Sequence, residues 1–189
     1  MTSTNCKSGT ERCYEAARKQ DTNPGLIINL QGDNPTCPPW ILQDLINTWR
    51  KEKADVLTAS VLLGWSEYDQ LLAMKKETPY SGTTVQTIPA IRKEDQARDL
   101  LPKSPVRRHV GLYAYSGRAL ESYFSLPPSV YERSYIEGLE QMRFLENGIK
   151  MRVVDVDYRG RETTSGVDSP EDVKRVEEIL EKYGEFDLS

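Results

Sequence analysis

The sequence predicts an α/β fold with a mostly parallel sheet flanked by helices and one irregular insertion. Short, apolar and β-branched runs, typical of buried strands, alternate with longer segments in which apolar residues recur at the helical period. The 189 residues are 38% hydrophobic and contain no internal repeat or recognisable linker. We therefore expect a single domain over residues 1–189, with a sizeable buried core.

The first recognisable unit is a strand, a helix and a second strand. Residues 23–25 (NPG) form a turn, and the run 26–30 after it is typical of a strand buried on both faces. Pro38 and Pro39 open an amphipathic helix at its first turn. Residues 55–63 (DVLTASVLL) then predict the second strand, so the order suits a right-handed βαβ unit.

The middle of the chain is less regular. Residues 66–76 predict a helix and residues 83–88 a strand, whereas residues 93–105 are charged and Pro-punctuated, which indicates a flap or exposed loop. Residues 108–115 (RHVGLYAY) predict a strand, and residues 117–124 a short helix.

The last third of the chain has clearer boundaries. A helix through residues 136–145 should end at Asn147-Gly148, because Gly tolerates the left-handed backbone there. Residues 151–156 predict a strand. The last helix begins with Ser169 as its N-cap and Pro170 at its first position, followed by acidic residues in its first turn.

Charge and composition exclude several classes of partner. The net charge of −4 results from 25 basic and 29 acidic residues scattered along the chain, so no basic stripe indicates nucleic acid. No apolar run approaches the roughly 18 residues of a membrane span, and the N-terminus is too polar for a signal peptide. We expect a soluble, cytoplasmic protein that binds neither nucleic acid nor membranes. The three cysteines show no C-x-x-C spacing and are expected to be reduced thiols.

Two aspartates are the first candidates for chemistry. Ligands collect beyond the carboxyl ends of strands in open α/β sheets, and Asp33 lies three residues past Leu30. Asp168 precedes the last helix, at the expected mouth of the same sheet. Converging carboxylates repel each other unless a cation lies between them, which predicts a Mg²⁺ site. The alternative is structural, since residues 33–35 (DNP) suit a turn and Asp168 could end a loop or help to cap the helix.

Five motifs occur in the order found in one enzyme family: residues 8–12 (SGTER), 31–35 (QGDNP), 108–113 (RHVGLY), 139–143 (LEQMR) and 166–172 (GVDSPED). In these motifs the chain resembles the 3-deoxy-manno-octulosonate (Kdo) cytidylyltransferases, or CMP-Kdo synthetases, over nearly its whole length. The resemblance implies a nucleotide-diphospho-sugar transferase-like, Rossmann-like fold. It also implies a cytoplasmic, homodimeric, Mg²⁺-dependent enzyme. Members of the family transfer CMP from CTP to the sugar acid Kdo, with release of pyrophosphate, for lipopolysaccharide synthesis.

The resemblance further implies a role for each matching residue. Asp33 and Asp168 would be the catalytic metal ligands. The loop beside the cytosine and ribose would comprise Ser8, Gly9 and Thr10. The sugar-contacting set would comprise Gln31, His109, Tyr113, Glu140, Gln141 and Arg12, the last as partner of the sugar carboxylate. His109 and Tyr113 should share one face of their strand, because side chains there alternate with period two.

Several of these candidates also have a structural interpretation. A histidine between apolar residues, such as His109, is ordinarily a satisfied core residue. Glu140 could be a solvated helix residue, and Arg12 could pair with Glu15 on the helix surface.

The chain departs from the family pattern near its start. The Arg-rich, Gly-containing loop that grips the CTP triphosphate has no counterpart, so about two β-α units, roughly 60 to 70 residues, are expected to be absent and apolar sheet edge to be exposed. Cys6 stands in place of a His, and Asn34 in place of an acidic residue. Little or no turnover is therefore expected from residues 1–189 alone. The alternatives are a non-catalytic sugar-binding or assembly module derived from this fold, and a cytidylyltransferase for another sugar acid, such as sialic acid.

Overall fold

The structure contains the predicted order of strand, helix and strand over residues 26–62, whereas later elements do not alternate regularly. The computed structural model describes residues 1–77, 84–85, 98, 101–133, 140–163, 166–167 and 169–186. The strands are β1 (Leu26–Leu30), β2 (Val56–Leu62), β3 (Thr84–Val85), β4 (Arg107–Ser116) and β5 (Met151–Asp155). The helices are α1 (Gly9–Arg18), α2 (Pro39–Glu52), α3 (Trp65–Glu77), α4 (Gly117–Ser122), α5 (Val130–Arg133), α6 (Met142–Glu146) and α7 (Pro170–Tyr183), with a 3₁₀ turn at Tyr123–Ser125.

Local signals in the sequence account for the helix ends. The Ser169 side chain accepts from the Asp172 amide while Asp172 accepts from the Ser169 amide, and this reciprocal capping starts α7 as predicted. At the end of α6, Asn147 is the C-cap and Gly148 has a φ of 76°, so the predicted stop is confirmed. Residues 134–139, the first part of the predicted long helix, lie outside the described residues, as does most of the predicted flap.

The sheet is mixed. We expected a mostly parallel sheet, and strand β4 departs from that expectation because it is antiparallel to its neighbours. Its strand order is β1-β4-β2-β5, with β3 paired to β4. β4 runs antiparallel to both β1 and β3. Ser116 N donates to Asp55 O at 2.9 Å and Thr58 Oγ1 donates to Leu112 O at 3.1 Å, so β2 is antiparallel to β4 as well. The predicted α/β class itself is confirmed.

Strand β1 is less buried than its apolar run suggested. Asn29 is its one buried residue, and Leu30 is 47% exposed. The prediction of burial on both faces is therefore wrong. β1 stands at the end of the order of described strands and pairs with β4 on one side, a position that apolar composition does not reveal.

The chain divides into two compact units, each with its own core. Unit 1 comprises Met1–Gly32, Leu42–Thr58 and Leu112–Val154. Its core is strongly aromatic and includes Tyr113, Tyr115, Tyr123 and Phe144. Unit 2 comprises Asp33–Ile41, Ala59–Gly111 and Asp155–Ser189. One of its core clusters contains Leu63, Tyr68 and Leu71. The single domain over residues 1–189 stays a prediction. Among the residues that the structure describes, no helix is long and apolar enough to cross a membrane.

Candidate active site

In unit 2, a glycine backbone lies directly against the carboxylate of Asp33. The main-chain oxygen of Asp33 accepts a hydrogen bond from Val167 N at 2.8 Å. A Cβ built on Gly166 would lie only 2.7 Å from Asp33 Oδ2, so the two segments approach this closely because residue 166 has no side chain. Asp33 is exposed, and within the described ranges its carboxylate forms no ion pair. The segment that leads into Asp168 therefore lies beside Asp33.

Asp168 itself lies outside the described residues. Counting only the part of the chain that the structure describes, no group of three His, Cys, Asp or Glu side chains could hold a metal ion. The two-aspartate metal site thus stays a prediction, of which Asp33 is the described member.

In unit 1, the predicted nucleotide loop at Ser8–Thr10 forms the N-terminus of α1. Ser8 is the N-cap, and its Oγ accepts from Glu11 N at 3.2 Å. The next two amides are bound by Glu140, whose Oε1 accepts from Gly9 N and whose Oε2 accepts from Thr10 N, both at 2.9 Å. The amides and the dipole of a helix N-terminus favour a carboxylate at this place. Glu140 is therefore neither a solvated helix residue nor distant from the nucleotide loop.

A buried tyrosine connects the same loop to Gln141. The hydroxyl of Tyr115 lies 3.2 Å from Thr10 Oγ1 and accepts from Gln141 Nε2 at 3.1 Å. Thr10 and Tyr115 are fully buried, and Gln141 is 5% exposed. Burial raises the pKa of Tyr115 to about 12, so its hydroxyl stays protonated at neutral pH. Thr10 thus directs its side chain into the core, towards Tyr115.

His109 and Tyr113, the predicted pair on β4, differ in exposure, since His109 is half-buried and Tyr113 is buried. Burial lowers the pKa of His109 to about 4, which keeps its imidazole neutral at pH 7. Tyr113 is 3% exposed, and its ring stacks on Tyr115 with centroids 6.3 Å apart. Burial also raises the pKa of Tyr113. The sugar-contacting roles of both residues stay predictions.

The two remaining candidates differ in their surroundings. Gln31 is half-buried in the segment that follows β1. Arg12 is exposed, and its guanidinium donates to Ser3 O and Cys6 O, each at 3.3 Å. It therefore links α1 to the segment that precedes this helix. The alternative pairing of Arg12 with Glu15 does not form, since Glu15 instead pairs with Lys19.

Two residues of this region were missed in the sequence. Tyr115 follows Tyr113 by two positions, so the period-two rule that paired His109 with Tyr113 also places Tyr115 on that face. Asn29 is opposite Tyr113 in the β1–β4 register, and its Nδ2 would lie 3.4 Å from a Cβ on Gly9. A single amide inside an apolar strand was the available signal for Asn29.

Comparison with known proteins decides the family. A family model described as cytidylyltransferase matches residues 1–151. The chain is also 37% identical over 200 residues to the 3-deoxy-manno-octulosonate cytidylyltransferase of Maricaulis maris, a match that covers 98% of this chain and 74% of that protein. The chain belongs to the 3-deoxy-manno-octulosonate cytidylyltransferase family.

Other members of the Kdo cytidylyltransferase family match a similar extent of the chain. The Zea mays enzyme is 30% identical to this chain, and the match covers 95% of this chain and 59% of that enzyme. The Nitratidesulfovibrio vulgaris enzyme is 34% identical, covering 95% and 70% respectively. A solved structure of CMP:2-keto-3-deoxy-manno-octonic acid synthetase complexed with CTP has a TM-score of 0.72 at 28% identity, covering 96% of this chain and 71% of that one. This chain thus spans 59% to 74% of the length of the named relatives.

Proposed function

We propose that this protein serves the transfer of CMP from CTP to Kdo, with release of pyrophosphate, and that Asp33 is a Mg²⁺ ligand for this reaction. The observation that carries the proposal is the exposed Asp33, whose carboxylate lies against the backbone of Gly166 and whose main-chain oxygen accepts from Val167 N. These residues belong to the two family motifs predicted to supply the metal ligands. Relatives named as Kdo cytidylyltransferases support the choice of reaction.

The surroundings of Asp33 fit a hard divalent cation. Mg²⁺ prefers oxygen ligands and is usually held by one or two carboxylates together with substrate phosphates. A Cβ built on Gly32 would meet nothing within 4 Å, so the chain beside Asp33 leaves room for phosphate oxygens. A bound Mg²⁺ would supply orientation of the phosphates and neutralisation of the charge that develops on pyrophosphate.

The reaction needs positioning more than covalent chemistry. The anomeric hydroxyl of the sugar acid attacks the α-phosphorus of CTP, the bond to the β-phosphate oxygen breaks, and the hydroxyl proton passes to water. No side-chain nucleophile is required. The neutral imidazole of His109 can donate one hydrogen bond and accept another, which suits a sugar hydroxyl. The loop at Ser8–Thr10 is held by Glu140 and Tyr115, which suits a rigid nucleotide contact.

The sequence motifs favour Kdo over sialic acid as the sugar acid. The segments GVDSPED at 166–172 and LEQ at 139–141 are the ones that resemble the Kdo enzymes. A homodimer in the cytoplasm, also implied by the resemblance, stays a prediction.

Isothermal titration calorimetry with Mg²⁺ present tests the proposal directly. We expect Kdo and CMP-Kdo to bind, and sialic acid to bind at least tenfold more weakly. Failure of both Kdo and CMP-Kdo to bind would contradict the proposal. A parallel assay follows pyrophosphate release from CTP and Kdo. Release that disappears in Asp33→Ala would support the reaction, whereas sugar binding without any release would favour the non-catalytic binding module.

A control variant that removes one carboxylate elsewhere distinguishes the loss of a metal ligand from a general change in charge. Asp33→Ala should abolish the Mg²⁺ dependence of CMP-Kdo binding. Asp21→Ala removes another exposed carboxylate, from the connection between α1 and β1, and should leave that dependence unchanged.

A further inference from the structure

Two segments of unit 1 that are far apart in the chain are joined by two direct hydrogen bonds and by two more through Tyr115. One segment is the start of α1, and the other is the turn at Glu140-Gln141, about 130 positions later. Glu140 binds the amides of Gly9 and Thr10. Tyr115 bridges the side chains of Thr10 and Gln141. Hydrogen bonds within the protein therefore hold together the segments that are predicted to contact the nucleotide and the sugar.

The Tyr115 hydroxyl occupies a fixed place in this network. Its ring packs against Phe144 with centroids 5.8 Å apart, and its backbone is paired with Ile27 in the β1–β4 register. Since Gln141 Nε2 donates to the hydroxyl oxygen, the Tyr115 proton can be donated to Thr10 Oγ1. Both partners are buried, so neither can turn to water if the hydroxyl is removed.

We propose that Tyr115 is a positioning residue of the transferase site, whose hydroxyl sets the place of the nucleotide loop at Ser8–Thr10 relative to Gln141. The inference rests on the proposed function, because that function identifies the two ligands as CTP and Kdo. The geometry of the loop does not depend on the proposed function. Glu140 acts in the same arrangement, because both of its carboxylate oxygens are already bound to loop amides.

Tyr115→Phe tests the proposal, since it removes the hydroxyl and keeps the ring that packs on Phe144. We expect the dissociation constants of both CTP and Kdo, measured by calorimetry with Mg²⁺, to rise about tenfold, the effect of roughly one lost hydrogen bond on each side. We also expect the amides of Gly9 and Thr10 to exchange with deuterium faster, because their loop is less restrained.

The matched control is Tyr158→Phe. Tyr158 is 3% exposed, and within the described part of the chain its hydroxyl has no hydrogen-bond partner. Both dissociation constants and the exchange of the loop amides should therefore stay at wild-type values. Thr10→Val removes the hydroxyl that meets Tyr115 from the other side and should reproduce the effect of Tyr115→Phe.

The outcomes separate this inference from the proposed function. If the wild type binds neither CTP nor Kdo, the proposed function fails, and amide exchange in Tyr115→Phe still decides whether the hydroxyl positions the loop. If Tyr115→Phe is only less stable, with ligand binding and loop exchange equal to those of Tyr158→Phe, the positioning role is overturned. If Tyr115→Phe does not fold, Thr10→Val provides the same two readouts from the other side of the bond.

Discussion

Gly166→Ala should weaken metal binding while leaving the fold nearly intact. The new Cβ would lie 2.7 Å from Asp33 Oδ2 and 3.1 Å from Asp33 Cγ, whereas ordinary contact begins at 3.4 Å. The carboxylate must therefore move by about 0.7 Å, the difference between 3.4 and 2.7 Å. The backbone at Gly166 and Val167 is less free to move away, because Val167 N donates to Asp33 O at 2.8 Å.

A shift of this size matters more for the cation than for stability. Mg²⁺ requires near-ideal geometry with ligands at about 2.0–2.1 Å, so a displaced oxygen is a poor ligand. We expect metal affinity to fall by roughly 10- to 100-fold, as for other changes in the support of a metal ligand. The new contact is with the end of an exposed side chain that can shift, so the free energy of unfolding should change by less than about 1 kcal/mol.

Mn²⁺, titrated with detection by electron paramagnetic resonance, measures the affinity of this site. Gly32→Ala is the matched control, since a Cβ there meets nothing within 4 Å although the residue adjoins Asp33. If Gly166→Ala binds Mn²⁺ as the wild type does, or if Gly32→Ala weakens binding equally, the steric argument about Asp33 is wrong.

Three further predictions concern single groups. The ring protons of His109, the chain's one histidine, should titrate in NMR near pH 4. Since this pKa is lowered on folding, the stability contributed by His109 should be lost as pH falls from about 6.5 towards 4, and a midpoint near 6.5 would contradict its burial. Ser169→Ala removes the N-cap of α7 and should lower the free energy of unfolding by about 0.5–2 kcal/mol in urea melts, whereas an unchanged midpoint would deny the cap any energetic role. Glu132→Gln removes the ionic partner of Arg143, which is partly buried and lies 4.3 Å from the Tyr123 ring centroid. It should lower the free energy of unfolding by about 1–3 kcal/mol, and no change would show that solvent screens the pair.

The parts of the fold that the sequence predicted are those with local causes. The start of α7 depends on Ser169, Pro170 and an acidic first turn, all within one helical turn, so the pattern and the structure agree. The end of α6 at Asn147-Gly148 is equally local. The direction of β4 is not local, because alternating side chains mark a strand without stating which way its neighbours run. The partial exposure of β1 likewise depends on its place in the sheet order.

The candidate site follows the same division. The proximity of Asp33 to Gly166 and Val167 could be expected, since residues that follow strand ends collect at one edge of an α/β sheet. The hydrogen bonds from Gly9 and Thr10 to Glu140 could not, because no periodicity in the chain relates residues about 130 positions apart.

Glu140 and Gln141 show why adjacent residues of one motif can have different roles. A carboxylate only accepts hydrogen bonds, and each oxygen of Glu140 already accepts from an amide at the start of α1, where the helix dipole favours a negative charge. An amide both donates and accepts, and the buried Gln141 donates from Nε2 to Tyr115. Glu140 therefore binds the start of α1 directly, whereas Gln141 is linked to it through Tyr115. Loss of the Glu140 charge should accordingly loosen the start of α1, because the amides of Gly9 and Thr10 would lose their acceptor.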